Sequence, residues 1–202
     1  MTETAYLASA TALIWVALYY LPVGGAIFRL VLPLPLALLQ IRRRSSIGLE
    51  GLFLTVLLLV ALMGPVRGPL ILFPYGILAV WLGWCWSRCS SWWFSWFSGV
   101  FIGVGGFFVR VFALSLLVGE NLWVIITRAG AGLLERFIDL FNLQLVPDLN
   151  QVQIASIFLV LLQEIIYVLT LHAVAFWLFP RLGGRMPSPP DLLNRLIVID
   201  PL

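Results

Sequence analysis

Residues 92–118 have the sequence WWFSWFSGVFIGVGGFFVRVFALSLLV, an apolar stretch interrupted by one charged residue, Arg110. It is longer than the roughly 20 residues that an α-helix needs to cross a bilayer. A second apolar stretch, residues 152–179, holds Glu164 well inside it. A charge at membrane depth costs at least about 2.5 kcal/mol unless it is paired, so both residues are candidates for a functional site.

The composition of the whole chain indicates a multi-spanning membrane protein. Of 202 residues, 62% are hydrophobic and 10% are charged, and the mean hydropathy is +1.06. Soluble domains contain about 45–50% apolar residues. The first apolar stretch follows Met1 to Thr4 without a basic segment or a cleavage site, so we expect it to be retained.

Six segments are predicted to span the membrane, which gives an all-α fold, a polytopic membrane helix bundle. They cover about 5–21, 26–41, 49–63, 69–86, 92–118 and 152–179 within a single domain, 1–180, followed by a cytoplasmic tail, 181–202. The first three are shorter than roughly 20 residues, so one could be broken or partly submerged, and five spans is the alternative. Residues 122–143 combine apolar and charged positions at helical spacing. They predict an amphipathic interfacial helix that lies along the outer surface or covers a cavity.

The arginines predict that both termini are cytoplasmic. The formal charge of +3 arises from twelve arginines and no lysine, and cytoplasmic loops of membrane proteins carry the excess of basic residues. In this orientation, seven arginines lie inside and four outside: Arg42, Arg43, Arg44, Arg88, Arg181, Arg185 and Arg195 against Arg29, Arg67, Arg128 and Arg136. We expect a bacterial-type inner membrane, cytoplasmic or thylakoid. No basic stripe with interleaved aromatics is present, which argues against a nucleic-acid partner.

Six tryptophans flank the short turn at 88–91: Trp81, Trp84, Trp86, Trp92, Trp93 and Trp96. Tryptophan prefers the headgroup layer, so the cluster is typical of an interfacial belt. A stacking platform for a ligand is the other interpretation. Cys85 and Cys89 lie near the cytoplasmic side in this topology, and we expect two free thiols there.

Arg110 and Glu164 are the principal candidates for ligand binding. By the helical rise they lie ~13 Å and ~18 Å from the outer ends of their spans, and antiparallel neighbours could bring them together. Two interpretations stay open: a charged floor beneath an outward-facing pocket, or a structural ion pair that fixes helix register. Gln163 and Tyr167 lie in the same region and could add polarity, and Arg29 is the basic residue near the outer end of its span.

The other polar residues in the spans do not form a catalytic pattern. The single histidine, His172, is expected to be a hydrogen-bonded packing residue. Gly103, Gly105 and Gly106 indicate close helix packing or a kink. No nucleophile with a base, paired carboxylates, His/Cys/Asp cluster or phosphate-binding loop is present, so we expect neither an enzyme, nor a metal, nor a cofactor.

Small residues form one face of the first span. Ala8 and Ala12, with Ala5 and Ser9 beside them, give the spacing that lets helices approach closely in lipid. This face has two possible explanations: the alanine content that is ordinary for membrane spans, or a docking surface for another membrane subunit.

Residues 32–84 resemble a known family. Their sequence is LPLPLALLQIRRRSSIGLEGLFLTVLLLVALMGPVRGPLILFPYGILAVWLGW. The Pro-x-Pro, the basic loop, the short span closed by Gly-Pro and the following span with small residues resemble the YybS-like family of uncharacterised bacterial membrane proteins. That family is similar to the substrate-capture (S) components of energy-coupling-factor (ECF) transporters. The resemblance implies six helices, a small molecule bound near the outer face, and docking on a coupling subunit through Ala8 and Ala12.

Two functions follow as hypotheses. The first is an S-component-like protein that captures a small solute or lipid in an outward-facing cavity. Because the chain has no nucleotide-binding loop, an ATPase module would come from other chains. The alternative is a non-catalytic structural or assembly subunit of a larger membrane complex.

Overall fold

The computed structural model describes residues 2–22, 24–43, 45–140, 148–184 and 186–190, which contain helices and no strand. The all-α prediction is therefore confirmed for this part of the chain. Within these ranges the α-helices are α1 (Thr2–Tyr20), α2 (Gly25–Val31), α3 (Leu34–Arg43), α4 (Ser45–Arg67), α5 (Ile77–Ser87), α6 (Trp92–Val118), α7 (Leu122–Leu140) and α8 (Leu149–Leu178). A 3₁₀ turn (Pro69–Ile71) and a π-helical turn (Leu72–Gly76) precede α5, and a 3₁₀ turn (Pro180–Leu182) follows α8.

Five described segments are long and apolar enough to cross a membrane: Gly25–Arg43, Ser46–Arg67, Pro69–Ser87, Trp92–Val118 and Leu149–Leu178. They correspond to the second through sixth predicted spans, and α6 has the predicted ends. The first predicted span forms α1, a helix of 19 residues that is not among these five. Arg44, Arg185, the end of the predicted interfacial helix (141–143) and most of the predicted tail (191–202) lie outside the described residues.

Two of the predicted spans are broken. A turn at Leu32 and Pro33 divides the second one into α2 and α3, because proline has no N–H to continue the helical ladder. The fourth passes through the 3₁₀ and π-helical turns before α5, and Phe73 there has extended backbone angles, φ −117° and ψ 126°. Pro74 and Gly76 are buried, which agrees with the rule that irregular backbone at membrane depth must be covered by protein.

A glycine allows a sharp break in the helical backbone near the end of α4. Gly64 has φ 89° and ψ 169°, which a residue with a side chain rarely adopts. A Cβ atom at Gly68 would lie 2.6 Å from the backbone nitrogen of Val60. The chain therefore folds back directly onto α4 before it enters the broken segment.

Helices α6 and α8 are antiparallel and close. A Cβ atom added at Gly99 would lie 3.0 Å from Val168, and one added at Gly103 would lie 2.5 Å from the Glu164 carboxylate. The glycines of α6 thus let α8 approach its backbone, as small residues do in membrane helix pairs. This register sets the depth of Glu164 in the bundle.

The beginning of α1 and the ends of α3 and α8 meet at one end of the bundle. Arg42 and Arg43 donate hydrogen bonds to the Glu3 carboxylate at 2.6 and 2.8 Å, and Arg42 also donates to the carbonyl of Leu182. The hydrogen bonds from Arg42 and then Arg43 lower the pKa of Glu3 below its ordinary value of 4.5. Both ends of the described chain therefore lie on the side that carries these arginines.

Trp86 and Trp92 do not belong to an interfacial belt, and that prediction is wrong for them. They are 1% and 4% exposed, and their rings lie 5.1 and 5.0 Å from the ring of His172. The ring nitrogens of His172 bond to Ser95 Oγ at 2.9 Å and to the Val168 carbonyl at 2.8 Å. His172 is a hydrogen-bonded packing residue, as expected, and it draws the two indoles into the core.

Candidate functional site

The polar candidates from the sequence converge on one cavity of about 290 Å³, called here the charged cavity. Its polar lining consists of Arg29, Tyr75, Arg110, Gln163 and Glu164. These residues come from α2, the π-helical turn, α6 and α8. Apolar side chains of α6 and α7 complete the wall, among them Phe107, Val111, Leu114, Leu122, Ile125 and Ile126. Four of the five predicted ligand-binding residues therefore line the same space.

Arg110 is held by aromatic residues of α1 and of the π-helical turn. Its guanidinium carbon lies 5.5 Å from the centre of the Trp15 ring and 5.9 Å from that of Tyr75. One guanidinium nitrogen donates to the Tyr19 hydroxyl at 3.4 Å. Cation–π contacts of this kind are worth about 0.5–2 kcal/mol. They position the charge at the cavity wall without neutralising it.

Glu164 is the most buried polar residue of the charged cavity. It is 5% exposed, and its carboxylate rests against the bare backbone of Gly103. Among the described residues, no donor reaches its buried Oε2 atom. Buried polar atoms in folded proteins usually have a partner. Among the described residues this oxygen is one of six buried polar atoms without one, and it is the one on a charged side chain, so it marks a candidate binding site.

The expected meeting of Arg110 and Glu164 does not occur. In the described part of the chain, the ion pairs are those of Glu3 at the opposite end of the bundle. Glu164 meets α6 at Gly103, seven residues before Arg110, which is ~10 Å along the helix axis. Helix α8 also begins at Leu149, three residues earlier than predicted, which places Glu164 deeper. The structural ion pair is therefore excluded, and the two charges face a shared cavity.

Tyr167 contributes from behind the cavity wall. Its hydroxyl donates to the Arg29 carbonyl at 3.0 Å, and its ring meets that of Tyr75 edge to face at 6.1 Å. It thereby ties α8 to α2 and to the π-helical turn. Tyr75 and Trp15 were missed by the sequence analysis because an aromatic residue in an apolar span carries no signal that separates a site from a core.

Helix α7 covers one side of the charged cavity. Leu122, Ile125 and Ile126 of one face line it. Further along, a Cβ atom at Gly130 would overlap Ser156 Oγ of α8, so the two helices are in close contact.

The predicted docking residues are not on a free surface. Ala8 and Ala12 are 0% and 2% exposed, and the Thr55 hydroxyl of α4 lies 3.3 Å from the Ala8 carbonyl. The small side chains serve packing within the chain, because a larger residue would separate α1 from α4. The prediction that Ala8 and Ala12 dock another subunit is corrected accordingly.

Two other spaces hold fewer charged residues than the charged cavity. An open groove of about 630 Å³ at the turn between α6 and α7 is mainly apolar and holds one charged residue, Glu120. A space of about 320 Å³ beside Gln40, Trp81 and Trp84 holds no charged residue. Cys85 and Cys89 are free thiols, as expected. No group of three or more His, Cys, Asp or Glu residues comes together among residues that the structure describes.

The fold and the cavity define a class: a multi-pass helical membrane protein with charged residues around a cavity inside its helix bundle. The chain belongs to the family described as "Predicted membrane protein (DUF2232)", whose model matches residues 9–192. Comparison with curated proteins and with solved structures gives no match.

Proposed function

We propose that this protein captures a small solute or lipid in the charged cavity. The observation that carries the proposal is the buried Glu164 carboxylate: the residue lines a space of about 290 Å³, and its Oε2 atom has no donor among the described residues. An unpartnered buried acceptor costs about 1–3 kcal/mol. A ligand that donates to Glu164 would recover that free energy on binding, whereas a purely structural carboxylate would have a protein partner.

The proposed arrangement in the membrane is that of an S-component-like protein. Helix α1 would be the sixth crossing, the arginine-rich end would face the cytoplasm, and the charged cavity would open outward. Support comes from Arg42 and Arg43, which gather with the start of α1 at one end, and from the positive-inside rule. Uptake would be driven by an ATPase module on other chains, and the protein itself would not be an enzyme.

A structural or assembly subunit is the second candidate. A row of exposed apolar side chains runs along α6, with Phe97 at 63%, Phe101 at 82% and Phe112 at 66% exposure. Such a row fits lipid and fits another membrane subunit equally well. This function would require no ligand and no contribution from Glu164.

Filling the charged cavity separates the two candidates. Leu114 lines the cavity, and Leu117 is 54% exposed on the same helix, so Leu114→Trp and Leu117→Trp form a matched pair. The protein is purified in lipid nanodiscs, and native mass spectrometry measures the small molecules that it retains. We expect wild type and Leu117→Trp to retain the same molecule and Leu114→Trp to lose it. Equal retention in all three, or no retained molecule in wild type, contradicts capture in this cavity.

A further inference from the structure

The charged cavity has opposite charges at two depths. Glu164 lies against Gly103 and is 5% exposed, whereas Arg110 lies ~10 Å further along α6 and reaches Tyr19 near the end of α1. Arg29, which is exposed, belongs to the same lining. Two guanidinium groups therefore stand on the accessible side, and one carboxylate stands on the inner side.

We infer that the ligand is an anion whose far end carries a hydrogen-bond donor. This inference rests on the proposed function and specifies its ligand. The anionic group would bind Arg29 and Arg110, and the donor, an ammonium or a hydroxyl group, would donate to the Glu164 carboxylate. The middle of the ligand would lie against Phe107, Leu114 and Ile126, so an aliphatic or aromatic spacer fits it.

Each charge has a separate role in selectivity. A guanidinium offers several N–H donors to a carboxylate or phosphate, and Arg110 is already oriented by Trp15 and Tyr75. Glu164 would discriminate by leaving its oxygen unpaired whenever a ligand lacks the donor. Sites that hydrogen-bond a buried polar group of the substrate reject the analogue without that group strongly.

Simple bifunctional acids test the inference. The probes are ε-aminocaproate and ω-hydroxycaproate, which have both features, with caproate and hexylamine, which each lack one; the corresponding eight-carbon compounds cover a longer spacer. Binding is measured by calorimetry to wild type, Glu164→Met and Arg110→Met in nanodiscs. We expect a bifunctional acid to bind wild type at least about 10-fold more tightly than either monofunctional compound of equal length. Glu164→Met should abolish its advantage over the simple acid, and Arg110→Met its advantage over the simple amine.

The results distinguish this inference from capture itself. If the simple acid binds wild type as tightly as the bifunctional acid, or if no bifunctional acid of either length binds, the inference is overturned. In both cases the retention difference between Leu114→Trp and Leu117→Trp still decides whether the cavity captures a molecule. Loss of discrimination in Leu117→Trp, which does not touch the cavity, would also contradict the assignment to Glu164 and Arg110.

Discussion

Replacement of Gly106 by alanine tests how closely the broken segment packs on α6. A Cβ atom there would lie 2.7 Å from both Cα and Cβ of Pro74, whereas carbon atoms in contact prefer about 3.5–4.0 Å. The backbone of the π-helical turn would have to move by ~0.8 Å or more. Overpacking of this kind costs about 1–3 kcal/mol.

The adjacent Gly105 provides the control, because a Cβ atom there meets nothing within 4 Å. Alanine is favoured over glycine in a helix by about 1 kcal/mol at either position. That contribution cancels in the comparison, so Gly106→Ala should be less stable than Gly105→Ala by about 1–3 kcal/mol. Unfolding by SDS in mixed micelles, followed by the fluorescence of the nine tryptophans, measures the difference. Equal stability, or a more stable Gly106→Ala, would refute the packing described for this segment.

Three further predictions follow from contacts elsewhere in the bundle. Pairing lowers the pKa of Glu3, so its stabilisation is present above the ordinary value of 4.5 and is lost as the pH falls through the lowered pKa of the folded state. Glu3→Gln should remove about 0.2–1 kcal/mol at neutral pH and flatten the acid limb of a stability–pH curve; an unchanged curve would argue against the pair. Ser95→Ala removes the hydroxyl partner of buried His172 and should cost about 0.6–1.7 kcal/mol in the same SDS titration; an unchanged midpoint would show that this hydrogen bond does not stabilise the bundle. Gly103→Ala should displace the flexible Glu164 carboxylate, so native mass spectrometry should show reduced ligand retention while the SDS midpoint changes little; undiminished retention would exclude Glu164 from the binding site.

The sequence predicted the long helices well because their signal is local. The apolar stretch 92–118 has the same ends as α6, and the predicted start of α8 was three residues late because Leu149 lies beside polar residues. The sequence did not predict the break at Pro33 or the irregular turn before α5, because a proline in an apolar segment is compatible with a kinked helix as well as with a broken one.

The sequence predicted most of the polar residues that line the candidate site, but not the distances between them. Arg29, Arg110, Gln163 and Glu164 stood out because polar residues are rare in spans, and all four line the cavity. Their spacing depended on the register between α6 and α8, which the close approach at Gly103 sets. Such tertiary contacts are not encoded in hydrophobic periodicity.

The same limit explains the errors at the tryptophans and alanines. Trp86 and Trp92 belong to a tryptophan-rich stretch that is typical of a headgroup belt, but their rings pack against the buried imidazole of His172. Ala8 and Ala12 have the spacing of a docking face, and α4 of the same chain occupies that face. In both cases, residues with a pattern typical of the protein surface pack inside the bundle.

An experimental structure of the protein in lipid nanodiscs is the most direct test of the charged cavity. We expect the Arg110 guanidinium and the Glu164 carboxylate to form no direct contact. We also expect density for a bound molecule between them, with a donor group of that molecule at hydrogen-bonding distance from Glu164. Direct contact between the two side chains, with the cavity closed around them, would contradict the central claim.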